Sequence, residues 1–329
     1  MSNKPSRRQA VAAIASTVAL TYTFPSIGQQ DYPTRSIRIV VPVAAGGLTD
    51  ILTRVLAQRL SQVVGQAVVV DNKPGAGGII GMENAAKSPS DGYTLVMSYI
   101  GVAAVNPWLY KNLSYDPLRD FVPVSLVAAF PMVLAVHPSV PANNVEEFVA
   151  LLKRKPGELN YGSAGNATTS HLAMELFLRD TGSRMTHVPY KGAAPAMNDL
   201  LAGNVSAVFD SLTLVLPQLL AGKLKALGIA SREKSPLAPA LPTIGSSGVP
   251  GFEVTGWYGV LAPRGTPEEI VNKLAQEFQR IVTEPAMRTQ LASRGIEPIG
   301  QGSAAFGKLL REENDKWRRI VTEAKIQAD

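Results

Sequence analysis

The chain has no cysteine, only three histidines, and aromatic residues at 6% of its 329 positions. Without thiols there is no disulfide framework, no cysteine-ligated metal site and no cysteine to carry a lipid. An exported chain of this length needs no disulfide staples. His137, His171 and His187 form no His-Glu-x-x-His or similar spacing, so no metal and no other cofactor is expected. With few aromatics, the core has to be built mainly from Val, Leu, Ile and Ala; 46% hydrophobic and 18% charged residues are ordinary values for a globular protein. Past the N-terminal segment, no apolar run approaches the ~20 residues of a spanning helix. Positive charge is also scarcer than the net +6 suggests. Lys4, Arg7 and Arg8 precede the first acid, Asp31, and without them the balance is +3. No basic stripe interleaved with aromatics is present, which argues against a nucleic-acid partner.

What is present begins with an export signal over residues 1–28. The basic stretch Lys4, Arg7 and Arg8 leads into an apolar run from Ala10 to about Phe24, too short and too rich in small residues to span a bilayer. Pro25 breaks the run, and Ser26-Ile27-Gly28 offers the small residues a signal peptidase requires, so cleavage is expected near Gly28 and the product is exported. Ser6-Arg7-Arg8 resembles a twin-arginine signal, but Ala10 stands where that motif has a bulky apolar residue. The general secretory route is favoured.

From Ser36 onward, short apolar runs alternate with helical patterns. Strands are expected at Ile37–Val41, Val68–Val70 and Tyr93–Ser98, with helices over 51–64 and 79–87 between them. This β-α-β-α-β order opens a doubly wound sheet. The pattern restarts at a strand from Phe130 to Val136. Strands follow at 160–162, 187–188, 205–209 and 224–230, with helices over 145–155, 168–179, 193–201 and 212–220. After Pro250-Gly251, a strand over 252–261 leads into helices over 267–283, 286–293 and 304–324. The expectation is an α/β protein of two lobes, each a doubly wound sheet with flanking helices. Residues 31–129 and 253–329 would form one lobe and 130–252 the other, with a ligand cleft between them.

Four strand-to-helix loops are rich in small and polar residues: Pro42–Asp50, Asn72–Gly78, Gly162–His171 and Pro189–Ala193. Any one of them is explained by a tight turn. Four together, two from each expected lobe, would converge backbone N–H groups and helix N-termini on an anion. Thr49 or Asp50 suits the cap of the first helix. Asp210 suits the cap of the helix at Leu212 better than a place in a carboxylate site, where it would repel the ligand. Lys191 could screen a carboxylate or be solvated, and Tyr190 combines an apolar ring with a polar tip.

The residues resemble a known family at this point, the substrate-binding receptors of tripartite tricarboxylate transporters, or Bug receptors. The resemblance runs from Tyr32 to near the C-terminus. It rests on the order and spacing of Gly46-Gly47-x-Thr49-Asp50, Asn72-Lys-Pro-Gly-Ala-Gly-Gly78, Asn106-Pro-Trp-Leu-Tyr110 and Tyr115-Asp-Pro117, then on Tyr161-Gly-Ser-Ala-Gly165, Ser170-His-Leu172, His187-Val-Pro-Tyr-Lys-Gly192 and Trp257-Tyr-Gly259. It implies a periplasmic-binding-protein (Venus flytrap) fold without enzymatic activity. It further implies a small carboxylate held largely by backbone amides, hydroxyls and waters, and delivery to the membrane permease subunits of the transporter. A membrane sensor kinase is the alternative partner. The candidate ligand-binding residues are Gly46, Gly47, Thr49, Asp50, Gly77, Gly78, Tyr99, Ser163, Ala164, Gly165, Asn166, Thr168, Thr169, Ser170, His171, Tyr190 and Asp210. Three positions depart from the family pattern: Leu48 for Pro or another small residue, Ala167 for Gly, and Ala103 where many members carry His. With Tyr99, Ala103 suggests a more apolar pocket and a ligand with an aromatic or hydrophobic body.

Two enzyme readings compete and fail. Gly75-x-Gly77-x-x-x-Gly81 mimics a dinucleotide fingerprint, but Asn72-Lys73-Pro74 separates it from the strand and the ribose-binding acid is missing. Ser163 lies in Gly-Ser-Ala-Gly rather than a Gly-x-Ser-x-Gly elbow, and His171 nearby is better placed in a cleft wall or on a backbone partner than in a catalytic pair.

Overall fold

A computed structural model describes residues 32–166 and 168–323. The export signal, its cleavage near Gly28 and the substitution at Ala167 lie outside the described residues. The apolar runs of the N-terminal half become β1 (Ile37–Val41), β2 (Val68–Asn72) and β3 (Thr94–Tyr99), joined by helices α1 (Leu48–Val64) and α2 (Ile79–Ala86). Helix α1 buries Leu52, Leu56 and Leu60 along one face, the spacing of a core-facing stripe. It ends at Gly65, whose φ of 69° is the left-handed conformation that closes helices. A π-helical turn, Gly101–Val105, runs into the short α3 (Asn106–Leu109).

The long strand β4 (Phe121–Val136) leads to α4 (Val145–Arg154), β5 (Asn160–Ser163), α5 (Thr169–Thr181), β6 (Thr186–Pro189) and α6 (Ala193–Leu201). Then come β7 (Ala207–Ser211), α7 (Leu212–Leu220), β8 (Lys225–Ile229) and β9 (Thr255–Pro263). Helices α8 (Glu268–Thr283) and α9 (Pro285–Ala292), strand β10 (Glu297–Gly302) and helix α10 (Ser303–Glu323) complete the described chain.

Strands β2, β1 and β3 are parallel neighbours, with β9 antiparallel to β3 and β4 antiparallel to β9. Strands β6, β5 and β7 form a second parallel set, joined to β4 through an antiparallel β4–β7 pairing. One strand therefore serves both sets. Its pairing with β9 ends at Pro131–Thr255, and its pairing with β7 starts at Met132–Ser211. A proline has no N–H to give to a ladder, so it is tolerated where one partner is exchanged for another. On the far side of this exchange the side chains alternate. Met132, Leu134 and Val136 join a core with Phe177, Phe209 and Phe252, while Val133 and Ala135 pack with Val208, Leu212 and Val215.

Two elements depart from expectation. Strand β4 starts at Phe121 rather than Phe130, because Pro123 and Pro131 hide its alternation. Strand β10, of sequence Glu-Pro-Ile-Gly-Gln-Gly, pairs with β4 although its proline and glycines carry no strand pattern.

Candidate ligand-binding site

Three helix N-termini meet at one cavity of about 610 Å³. The loop before α1 contributes Val43, Ala44, Ala45, Gly47 and Thr49; the loop into α5 contributes Ala164, Thr168 and Thr169; the loop into α6 contributes Lys191, Gly192 and Ala193. The residues at these helix starts, Gly47, Thr168 and Gly192, make no side-chain capping bond. First-turn N–H groups of a helix have no intrahelical partner, and the macrodipole adds a partial positive charge at the same end. Glycine at 47 and 192 leaves the backbone bare to an approaching anion. Among the lining residues, Lys191 is the one charged side chain, and it is exposed.

The loops are braced from behind. Asp50, 2% exposed, accepts the Gly46 N–H at 2.9 Å, the Arg54 Nε at 3.0 Å and the Asn72 Nδ2 at 3.0 Å. Burial pushes its carboxyl up, but these three partners together hold it below the usual carboxylate range. Asn72 also donates to the Val43 carbonyl at 3.1 Å, which ties the first loop to the end of β2. In the third loop, Ser170 Oγ accepts the Ala164 N–H at 2.9 Å, and Thr168 Oγ1 donates to the Gly165 carbonyl at 2.7 Å. Ser163 Oγ lies 2.6 Å from His187 Nε2. The His187 ring stacks on His171 at 4.1 Å and on Tyr161 at 4.8 Å, and Tyr161 donates to Glu175 at 2.6 Å. Gly192 N–H reaches the Ala164 carbonyl at 3.1 Å, which couples the third loop to the fourth.

The remaining lining residues form an apolar wall of Tyr99, Ile100, Phe130, Trp257 and Tyr258. The Phe130 and Tyr258 rings pack tilted by 32° with centroids 5.0 Å apart, and Trp257 meets Phe306 edge-on at 5.5 Å. Burial pushes the Tyr258 hydroxyl up to about 12, partly offset by a hydrogen bond with Thr49, and raises that of Tyr99 further. Both phenols stay neutral at any physiological pH. The cavity thus combines helix N-termini with aromatic side chains, and among the described residues no His, Asp or Glu cluster could hold a metal ion.

Comparison with known proteins gives the family. Residues 52–326 match the family described as the tripartite tricarboxylate transporter family receptor, TctC. The chain belongs to this family. It is 37% identical over 325 residues to the UPF0065 protein of the tcbD-tcbE intergenic region of Pseudomonas sp. strain P51, covering 98% of this chain and 96% of that one. Among solved structures it resembles R. palustris Rpa4515 with adipate, at 38% identity, TM-score 0.80, and coverage of 90% of this chain and 99% of that one. It also resembles the periplasmic binding protein BugD, at 35% identity, TM-score 0.76, and coverage of 91% of this chain and 100% of that one. The chain is therefore a two-lobe solute-binding receptor of a transport family and not an enzyme.

Of the residues expected from sequence, the receptor brings Gly47, Thr49, Tyr99, Ala164, Thr168 and Thr169 to the cavity wall. Gly46, Asp50, Ser163, Gly165, Asn166, Ser170 and His171 lie in the supporting loops without lining it. Gly77 and Gly78 belong to the second loop, which packs elsewhere. Asn106 donates to the Gly77 carbonyl at 3.1 Å, and a side chain on Gly78 would meet Val102 at 2.5 Å. Tyr190 gives its hydroxyl to Asp199 at 2.6 Å rather than to the cavity. Asp210 does not cap α7; Ser211 holds that position, and its N–H donates to Asp210 at 2.7 Å. Ala103 is fully buried, and its carbonyl accepts Asn314 Nδ2 at 2.7 Å, so it does not reach the cavity. Sequence reasoning did not assign Phe130, Trp257 and Tyr258 to the site. The Trp257-Tyr258-Gly259 landmark was the available signal.

Proposed function

We propose that this receptor captures a small carboxylate with an apolar or aromatic body in the cavity. It then hands the ligand to the membrane subunits of a tripartite tricarboxylate transporter. The observation that carries this reading is the convergence of three helix N-termini, none capped by a side chain, on one space. A carboxylate there would accept the bare N–H groups near Gly47, Thr169 and Ala193, with hydroxyls from Thr49, Thr168 and Thr169 and the charge of Lys191. Hydrogen bonds to a charged group contribute about 1.5–3 kcal/mol each, enough to fix one end of the ligand. The aromatic wall favours an apolar remainder, because a hydroxyl buried there without a partner would cost about 1–3 kcal/mol. The R. palustris relative, solved with adipate, supports a carboxylate of this kind. The volume of about 610 Å³ is that of a small-molecule site.

In the same reading, residues 31–129 with 253–329 form one lobe and 130–252 the other, and they close over the ligand about the β4 and β9 crossings. The receptor works in the periplasm, freed from its signal near Gly28. Trp257 lines the cavity, so tryptophan fluorescence reports occupancy. Titration with 3-phenylpropionate and adipate is expected to give saturable changes at lower concentration than titration with malate. Tighter binding of malate than of either would sink the apolar part of the reading.

A further inference from the structure

We propose that Phe130, laid across Gly256, sets how bulky a ligand body the cavity accepts. The inference rests on the carboxylate-receptor reading of the same cavity and adds the residue pair that tunes it. Phe130 pairs with Gly256 on the penultimate rung of the β4–β9 ladder, next to Pro131. A Cβ on Gly256 would lie 2.0 Å from two atoms of the Phe130 ring, far inside contact distance. The ring fills the space of the missing side chain, so glycine is needed at 256 for room rather than for an unusual backbone angle.

The β9 members of the wall are fixed. Trp257 is 3% exposed and held edge-on by Phe306, and Tyr258 is 6% exposed and hydrogen-bonded with Thr49. Phe130 is half-buried: one side rests on Gly256, the ring packs tilted against Tyr258, and the remainder lines the cavity. Of the aromatics on β4 and β9, it is the one with room to yield. Shortening it enlarges the aromatic end. Adding a methyl at 256 forces the ring off β9, and the open direction is the cavity itself. The two changes act on one dimension with opposite signs, and neither touches the helix N-termini that hold the carboxylate.

The test is isothermal titration of the purified receptor with succinate, adipate, suberate and 3-phenylpropionate, repeated for Phe130→Ala, Phe130→Leu and Gly256→Ala. Phe130→Ala is expected to raise the affinity for suberate and 3-phenylpropionate relative to succinate by about tenfold, the discrimination typical of a one- or two-carbon change in an apolar pocket. Phe130→Leu, which keeps most of the packing, is expected to shift the same ratio less. Gly256→Ala is expected to lower it by a similar factor. If folded variants weaken every ligand alike and leave the ranking unchanged, Phe130 is packing only and the inference fails. A wild-type receptor that binds none of the four overturns the proposed ligand class beneath it, a different and distinguishable result.

Discussion

Asp210 illustrates at the level of one residue how burial, rather than proximity to a ligand, sets a side chain's chemistry. It is 6% exposed on β7, and its partners are the N–H and hydroxyl of Ser211. Burial pushes its carboxyl from the ordinary 3.8 up to about 6, against the pull of Ser211. The folded state thus holds the proton more tightly than the unfolded chain does. The contribution of Asp210 to stability is greatest below about pH 4, falls as pH rises towards 6 by roughly 3 kcal/mol, and is flat above that. Asp210→Asn removes the ionisable group, so its melting temperature is expected to gain on the wild type between pH 4 and 6 and to keep a constant lead above that. Parallel pH profiles for the two proteins would contradict this. Asp50 is the opposite case. Its partners overcome burial and keep it ionised, which suits a brace for the first loop and leaves ligand contact to the backbone.

One helix away from the cavity closes its N-terminus with its own side chains. In α4, Asn144 accepts the Glu147 N–H at 2.8 Å and Glu147 in turn accepts the Asn143 N–H at 2.7 Å, much as in a capping box. Helices α1, α5 and α6 lack such caps where they meet the cavity, and their loops are stiffened from behind instead. Ser170→Ala removes the bond to Ala164 N–H and is expected to weaken adipate binding about fivefold, the equivalent of about 1 kcal/mol. The melting temperature should hardly change. Titration and a thermal melt check this together, and unchanged affinity would remove the loop brace from the account.

The same elements show what could be read from sequence. Helices such as α6 and α7 were legible because their apolar spacing is a local signal. Strand β10 was not, because its place depends on pairing with β4, a partner far away in the chain. The glycine- and threonine-rich loops pointed to the cavity that three of them line. Phe130, Trp257 and Tyr258 did not, since an aromatic in an apolar strand reads as core until the tertiary structure shows which face is open.

Across the whole molecule, the two sheets are linked through β4, which exchanges β9 for β7 at Pro131. Phe130 and the β9 aromatics place the apolar end of the cavity at this exchange, while the polar loops reach it from the helices of both sheets. The proposed ligand site and the crossing strands are therefore adjacent, which suits the capture by closure proposed above. The most direct test is a calorimetric titration of the purified receptor with mono- and dicarboxylates of increasing apolar length, with nucleotides as controls and Lys191→Ala as the comparison protein. The account predicts saturable one-site binding of at least one carboxylate, weaker in the variant, with stabilisation of ~2.7 kcal/mol at 100 times the dissociation constant. Silence from every carboxylate, with heat released by a nucleotide, would contradict it.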